Sequence, residues 1–314
     1  MKTILITGSN GLLGQKLVQN LIQRNKREEE WKIIATSKGE NRLRLKEGYV
    51  YQPLDITSER EVSEIISKYK PDVIINTAAM TNVDACETDR AGAKALNVDA
   101  VRYLVDALKK QQHSDSSYQP HFIHLSTDFV FDGTSGPYRE EDQPNPLSYY
   151  AETKLEAEKL VEQSGLRWAI IRTIIVYGIV DDMSRSNIVL WAKQALASGQ
   201  KMNIVDDQFR TPTLAEDLAE GCVLCAEKGA QGIFHVSGKD FMSVLELVYR
   251  VADFWKLDKS LVTPSRSDTI KQPAKRPPRT GFILDKAMRE LNYKPHSFEE
   301  GLAILDEQLK VRNA

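Results

Sequence analysis

The stretch that decides the fold is residues 2–14, which read KTILITGSNGLLG. Its β-branched, apolar first half predicts a short buried strand, and the residues after the glycines carry the apolar spacing of a helix. Between these elements we expect Gly8 to permit a sharp turn and Gly11 to let the backbone approach a phosphate. We expect Gly14 to allow close packing of the helix on the strand. A strand, a glycine turn and a helix in this order predict a dinucleotide-binding turn.

The start of that helix presents free N–H groups and a partial positive charge, which suit a pyrophosphate. No Gly-Lys-Ser or Gly-Lys-Thr follows, so the turn is not a mononucleotide P-loop. The residues expected to contact a cofactor here are Gly8, Asn10, Gly11, Leu12, Leu13 and Gly14.

Strand-like and helix-like patterns then alternate as far as Thr173, which predicts a parallel sheet covered on both faces. The predicted strands are 2–7, 32–36, 49–52, 72–76, 122–126 and 168–172, and the predicted helices are 12–23, 59–69, 90–110 and 149–163. We therefore predict an α/β, doubly wound fold of the Rossmann type. Residues 1–173, with 208–238 returning to them, form the dinucleotide-binding domain. Residues 174–207 and 239–314 form a smaller substrate-binding lobe.

Charge and cysteine content exclude several classes of protein. The 314 residues include 42 basic and 44 acidic side chains, and no basic block suggests a nucleic-acid or anionic-lipid partner. No apolar run is long enough to span a membrane. Cys86, Cys222 and Cys225 are too few for a disulfide framework, and the C-x-x-C pair falls inside one predicted helix. We expect a cytoplasmic monomer or homodimer.

Cofactor preference is determined after the second strand, where an acidic residue would favour NAD by binding the ribose 2′-hydroxyl. Ser37, Lys38 and Arg42 stand there instead. Hydroxyl and cationic groups suit a 2′-phosphate. We therefore expect NADPH, although the nearby Glu40 keeps NADH open as the alternative.

Tyr150 and Lys154 stand four residues apart on a predicted helix and so share one face. A neighbouring ammonium lowers the pKa of a phenol, which would make Tyr150 a usable acid and base near neutral pH. The rival Tyr149 has Thr153 at the corresponding distance and lacks a cationic partner. Thr127, at the end of a predicted strand, is the expected hydroxyl partner of a substrate oxygen, with the adjacent Ser126 as second choice.

These residues resemble the extended short-chain dehydrogenase/reductase superfamily along nearly the whole chain. The resemblance implies that Thr127, Tyr150 and Lys154 are the catalytic set. It also implies further cofactor contacts from segments after the third and fourth strands: Asp55, Ile56, Asn76, Ala78 and Ala79. We interpret His124 as a core histidine and Arg172 as a structural ion-pair partner.

Within that superfamily the chain is most similar to the dTDP-4-dehydrorhamnose reductase family, through STDFVFDG at 126–133 and TNVDACE at 81–87. The implied reaction is NADPH-dependent reduction of the C4 keto group of a nucleotide-linked deoxysugar. The implied substrate residues are Thr81, Val83, Asp84, Asp128, Ile175, Gln208 and Arg210. For Asp128, capping the turn after the strand is an equally open role.

Two departures from the family pattern fall in the substrate region. The family often has Trp where this chain has Ile175, and Gly where it has Arg210. Some members hold a metal through an acidic residue just after the last glycine of the turn. Gln15 and Lys16 stand there, so we expect no metal.

Two other functions stay open. A nucleotide-sugar epimerase or dehydratase would need an extra acid or base beside the sugar, for which Asp84 and Cys86 are candidates. A non-catalytic, NADP-binding regulatory subunit would need no tuned phenol. The presence of Thr127, Tyr150 and Lys154 together therefore argues against this function.

Overall fold

The computed structural model describes residues 1–28, 31–182, 187–269 and 271–313. The strands are β1 Lys2–Thr7, β2 Trp31–Ser37, β3 Val50–Pro53, β4 Val73–Asn76, β5 His121–Thr127, β6 Arg167–Thr173, β7 Val176–Tyr177, β8 Met202–Val205, β9 Phe209–Arg210, β10 Thr213–Leu214, β11 Gly232–His235, β12 Met242–Ser243 and β13 Val262–Ser265. The α-helices are α1 Leu12–Glu28, α2 Glu59–Tyr69, α3 Val83–Thr88, α4 Arg90–Lys94, α5 Ala100–Ser114, α6 Tyr149–Glu162, α7 Ile188–Ala197, α8 Ala215–Lys228, α9 Val244–Trp255 and α10 Phe298–Asn313. π-Helical turns cover Ala95–Asp99 and Ala287–Leu291.

A seven-stranded sheet forms the centre of the molecule, in the order β11-β6-β5-β4-β1-β2-β3. All its neighbouring strands are parallel. The order reverses direction between β1 and β4, and the crevice outside the carboxyl ends of the strands at such a point is where these folds bind ligands. The predicted doubly wound α/β fold is therefore confirmed. Thr7, Asn76 and His124 lie side by side in register near that edge.

Buried apolar side chains cover both faces of the sheet. One cluster combines β1 and β2 with α1 and α8, and the other combines the opposite face with α2, α5 and α6. A third cluster joins α7, α9 and α10 to the short strands of the C-terminal half. Both faces of the strands are buried, which explains their nearly continuous apolar runs.

Most residues of the third cluster come from the regions predicted for the smaller lobe, and Leu214 comes from outside them. Residues 183–186, 270 and 314 of those regions lie outside the described part, and the division into two domains stays a prediction. Phe282, Leu284 and Tyr293 belong to the cluster beside the sheet, although they lie in the predicted lobe segment. A C-terminal segment thus crosses from the lobe back to the dinucleotide-binding domain.

A buried ion pair joins β6 to α6, the helix that carries Tyr150. The Arg172 guanidinium donates to Glu158 through Nε at 3.0 Å and through Nη2 at 2.6 Å, and the two side chains are almost fully buried. The guanidinium also lies 5.1 Å from the centre of the Phe131 ring. The predicted structural role of Arg172 is confirmed.

Glu158→Gln leaves this guanidinium buried without its counter-charge. We expect the free energy of unfolding to fall by about 3–5 kcal/mol, measured by urea denaturation. The control is Glu156→Gln on the same helix, where the side chain is exposed and the expected change is within about 0.5 kcal/mol. Equal losses in the two variants would contradict the assignment.

Candidate active site

A cleft of about 680 Å³ runs along the carboxyl ends of the strands. It brings together most of the predicted site residues: Gly8, Asn10, Gly11, Leu12, Leu13, Gly14, Ser37, Lys38, Arg42, Asp55, Ile56, Ala78, Ala79, Thr81, Val83, Thr127, Asp128, Tyr150, Lys154 and Ile175. The predicted residues Asn76, Asp84, Gln208 and Arg210 lie outside its lining. Residues far apart in the sequence therefore share one cavity. The four predicted residues outside its lining contact other parts of the chain.

The glycine turn has the geometry of a phosphate cradle. Gly8 has a φ of 68°, a conformation that favours glycine. A Cβ on Gly14 would collide with the Gly8 carbonyl oxygen and come within 2.6 Å of Ser9 Cα. The Gly11 N–H donates to the Gly8 carbonyl at 2.8 Å. The turn therefore needs its first and last glycines, as the sequence indicated, and it places the start of α1 in the cleft.

The loop after β2 forms the far corner of the cleft. Asn10 ties this loop to the glycine turn, since its side-chain oxygen accepts from the Arg42 backbone N–H at 2.9 Å. The Lys38 ammonium lies 2.6 Å from Asp55, and this contact holds the pKa of Asp55 below its usual range. The Lys38 side chain is 80% exposed, so it can turn toward a phosphate, whereas Asp55 partly offsets its charge.

Helix α6 presents Tyr150 and Lys154, the predicted catalytic pair, to the cleft because of where it begins. The Ser148 hydroxyl caps the helix by accepting from the Ala151 N–H at 3.4 Å. Tyr150 therefore falls in the first turn and Lys154 one turn later, both buried and both lining the cleft. A T-shaped contact with Phe129 holds the Tyr150 ring.

The two pKa values differ from the sequence-based expectation. Burial raises the pKa of Tyr150 above its usual range, and a hydrogen bond with Thr127 opposes this only in part. The prediction that Lys154 lowers the phenol pKa is wrong for this structure. The Lys154 ammonium instead donates to the Leu125 carbonyl at 2.6 Å and contacts His124 at 3.3 Å, while burial lowers its pKa to about 8.

Thr127 is held by its own turn. Its hydroxyl donates to Asp128 at 3.1 Å and accepts from the Phe129 N–H at 3.2 Å. The adjacent Ser126 hydroxyl is buried in the cleft lining and has no hydrogen-bond partner among the described residues. Both residues considered in the sequence analysis thus line the cleft, and the Thr127 hydroxyl is the one held by hydrogen bonds.

Asp128 and Arg210 are partners of each other. Asp128 is buried, its carboxylate accepts from the Thr280 hydroxyl, and Arg210 Nε lies 3.7 Å away. Arg210 also donates to the carbonyls of Pro277 and Pro278, at 2.6 and 3.2 Å. Arg210 therefore ties the turn after β5 to the C-terminal segment. Arg210 lies outside the cleft lining, and its expected substrate contact stays a prediction.

Two other predicted substrate residues are also engaged outside the cleft. Asp84 accepts from Arg276 at 2.7 Å and from the Ala274 N–H at 3.1 Å. The carbonyl of the buried Gln208 accepts from the Val244 N–H at 2.9 Å. These contacts fix the C-terminal segment and the lobe. They join distant parts of the chain, and such pairs cannot be recognised from sequence spacing alone.

Asn76 lies behind the cleft rather than in it. It is fully buried, its side-chain oxygen accepts from the Thr7 hydroxyl at 2.6 Å, and its NH₂ group contacts His124 at 3.1 Å. The expected cofactor contact of Asn76 stays a prediction. His124 is buried as predicted, yet it reaches Lys154, a connection that the apolar pattern around it did not indicate.

The family described as RmlD substrate binding domain matches residues 1–310. This chain belongs to that family. Methionine adenosyltransferase 2 subunit beta from Bos taurus is 34% identical over 268 residues, 84% of this chain and 75% of the relative. The probable low-salt glycan biosynthesis reductase Agl14 from Haloferax volcanii is 31% identical over 96% of each chain.

Solved structures of RmlD-type reductases superpose closely. A dTDP-4-dehydrorhamnose reductase from Clostridium acetobutylicum has a TM-score of 0.81 and 27% identity, covering 98% of this chain and 99% of its own. The corresponding reductase from Bacillus anthracis, in complex with NADP, has a TM-score of 0.80 and 25% identity, covering 98% and 100%. The predicted membership of the extended short-chain dehydrogenase/reductase superfamily is confirmed. None of the described helices is both long and apolar enough to cross a bilayer.

Arg210→Met tests the buried pair between Arg210 and Asp128. It leaves Asp128 buried without a counter-charge, so we expect the free energy of unfolding at pH 7 to fall by about 3–5 kcal/mol. Burial already raises the Asp128 pKa, and loss of the cation raises it further. The deficit should therefore shrink as the pH falls through the native pKa of Asp128, where the carboxyl becomes neutral.

Urea denaturation between pH 4 and pH 8 measures this dependence. The matched control is Arg250→Met, which breaks a half-exposed pair with Glu299 and should cost about 1 kcal/mol or less. A deficit for Arg210→Met that does not change with pH would show that Asp128 is not its source.

Proposed function

We propose that this protein is an NADPH-dependent reductase that converts the C4 keto group of a nucleotide-linked deoxysugar to a hydroxyl. The best candidate reaction is dTDP-4-dehydrorhamnose to dTDP-L-rhamnose. The observation that carries this proposal is one cleft whose lining includes both the glycine turn and Thr127, Tyr150 and Lys154. A cofactor phosphate site and a proton donor are thus joined in a single cavity.

The residues present fit a nicotinamide dinucleotide. A Cβ at Gly14 would collide with the backbone of Gly8 and Ser9, so only glycine lets α1 begin here, and the start of α1 opens into the cleft. Gly8, Gly11 and Gly14 would hold the pyrophosphate, and Ile56 and Ala78 line the wall between that turn and Tyr150. When bound, the nicotinamide cofactor supplies the hydride for the reduction.

Tyr150 is suited to give a proton to the oxygen of the reduced carbonyl. Burial raises its pKa, so the phenol stays protonated at neutral pH and donates only as negative charge develops on that oxygen. Thr127, through its hydrogen bond with Tyr150, orients the phenol and can turn its own hydroxyl toward the same oxygen. Lys154 places a cationic group at the cofactor side of the cleft.

The proposed sugar site is formed by Thr81, Val83 and Ile175, which line the same cleft. The solved neighbours named above are dTDP-4-dehydrorhamnose reductases. We also propose that the protein is a cytoplasmic monomer or homodimer. The three cysteines of the chain are all unpaired and buried, which favours a reducing compartment.

A second candidate is a non-catalytic subunit of another enzyme. It is favoured by the relatives named methionine adenosyltransferase 2 subunit beta, which match 84% of this chain in Bos taurus. An epimerase or dehydratase has less support. Asp84 is paired with Arg276, and burial raises the pKa of the Cys86 thiol to about 11, so neither extra acid-base candidate is suited to proton transfer at neutral pH.

Tyr150→Phe removes the proposed proton donor and keeps the ring. We expect turnover with NADPH and dTDP-4-dehydro-L-rhamnose to fall roughly 10²–10⁴-fold, followed by NADPH absorbance, with cofactor affinity nearly unchanged. Tyr149→Phe is the matched control, because the neighbouring phenol packs against Arg90 and should leave the rate within a factor of two or so. Wild-type protein that binds NADPH but turns over no keto-sugar would favour the subunit.

Arg42→Ala tests the cofactor preference. We expect the affinity for NADPH to fall about tenfold or more while that for NADH stays nearly constant, because only NADPH carries a 2′-phosphate. Isothermal titration with both cofactors measures this difference. Arg44→Ala is the control, since Arg44 is exposed and lies outside the lining of the cleft. Equal affinities of the wild-type protein for NADH and NADPH would overturn the preference.

A further inference from the structure

The loop between β2 and β3 is hydrogen-bonded to the rest of the chain at Arg42 and again two residues later. Lys38 and Arg42 of this loop line the cleft. The Arg42 N–H donates to the Asn10 side-chain oxygen at 2.9 Å. The Arg44 N–H donates to the carboxylate of Asp181 at 2.8 Å, across 137 positions of sequence. The backbone around Arg42 is therefore fixed both by the glycine turn and by the second half of the chain.

Asp181 can fix this loop because its own backbone is fixed by two helices. Its N–H donates to the side-chain oxygen of the buried Gln15 in α1 at 2.7 Å. Its carbonyl accepts from the Arg312 guanidinium near the end of α10. The Gln19 amide, one turn beyond Gln15, donates to the second carboxylate oxygen at 3.4 Å. The carboxylate of Asp181 therefore has a defined position.

The residues on either side of Asp181 also border the cofactor site. Val180 lines the cleft, and its carbonyl accepts from Arg312 at 2.7 Å. The Asp182 carboxylate lies 3.9 Å from the Arg42 guanidinium. The Arg42 side chain is 52% exposed, so it can exchange this weak contact for a phosphate. Residues 180–182 therefore contact both the wall of the cleft and the loop that carries Arg42.

A loop that is fixed in advance binds its ligand more tightly, because less conformational freedom is lost on binding. A backbone N–H that donates to a carboxylate forms one of the stronger hydrogen bonds in proteins. We expect the cationic residues of this loop to contact the 2′-phosphate, which NADPH carries and NADH lacks. Loss of the Asp181 contact should therefore weaken the binding of NADPH and leave that of NADH nearly unchanged.

We propose that Asp181 is a positioning residue, which holds the loop around Arg42 in the conformation that selects NADPH over NADH. This inference rests on the proposed function, and specifically on its cofactor preference. Asp181 acts through its carboxylate oxygen as an acceptor and not through its charge. A negative charge near a phosphate weakens phosphate binding, so a purely electrostatic role predicts tighter NADPH binding when the carboxylate is removed.

Asp181→Ala removes the acceptor and the charge together. We expect the affinity for NADPH to fall about fivefold or more, while that for NADH changes by a factor of two or so at most. Asp181→Asn removes the charge but keeps an oxygen that can accept from the Arg44 N–H. Its affinity for NADPH should stay within about twofold of the wild type. Isothermal titration with each cofactor measures these affinities.

Asp240→Ala is the matched control. Asp240 is half-buried like Asp181, and its carboxylate accepts from the distant Phe298 N–H at 2.8 Å. It lies outside the lining of the cleft. The ratio of the NADPH and NADH affinities in this variant should equal that of the wild type, because the loss of such a contact elsewhere does not act on the loop.

Amide hydrogen exchange of the wild-type protein tests the same hydrogen bond without a variant. In the absence of cofactor, the Arg44 amide should exchange about tenfold or more slowly than the Lys46 amide, for which the described contacts give no acceptor. NMR resolves the two amides. Equal protection of Arg44 and Lys46 would overturn the proposal, even if the variants at Asp181 did not fold.

Three results of the titrations would also overturn it. These are an unchanged or higher NADPH affinity in Asp181→Ala, an equal loss for both cofactors, or a loss in Asp181→Asn as large as that in Asp181→Ala. Equal binding of both cofactors by the wild-type protein would do the same. None of these readouts requires turnover. A protein that reduces no keto-sugar but shows the selective loss would therefore refute the proposed reaction and leave the role of Asp181 standing.

Discussion

The close approach of α1 to β1 at Gly14 is the contact on which the site depends. A side chain larger than hydrogen there would meet the backbone of Gly8 and Ser9, so the helix could not begin directly at the strand end. That approach places the start of α1 in the cleft, and the parallel sheet places the ends of β4 and β5 beside it. The glycine turn and Tyr150 then line one cavity as a consequence of strand order.

Behind the cleft, the constraint is the cost of burying polar groups without partners. The structure meets it with two separate networks. One runs from Thr7 to Lys154 through the ends of three neighbouring strands. The other joins Asp128 to Arg210 and the C-terminal segment. Together they flank Tyr150, so its surroundings are set by residues that do not line the cleft as well as by those that do.

Much of the fold could be predicted from the sequence, because the periodicity of apolar residues and the residues that end each strand are local signals. The predicted strand at 122–126 is observed at 121–127, and the glycine turn has its expected form. The predicted helix 90–110 is interrupted by the π-helical turn at Ala95–Asp99, where Asn97 bonds Thr153, and no local pattern signals that partner. The buried partners of Asn76 and Arg210 depend on tertiary contacts, and burial reversed the expected pKa of Tyr150.

The central claim is that the cleft carries hydride chemistry on a keto-sugar and not only cofactor binding. The most direct measurement uses NADPH carrying deuterium at the transferable position of the nicotinamide C4, with dTDP-4-dehydro-L-rhamnose as acceptor and mass spectrometry of the product. The account predicts one deuterium on the former carbonyl carbon of the sugar. Recovery of unlabelled sugar, with NADPH bound but not oxidised, would contradict it.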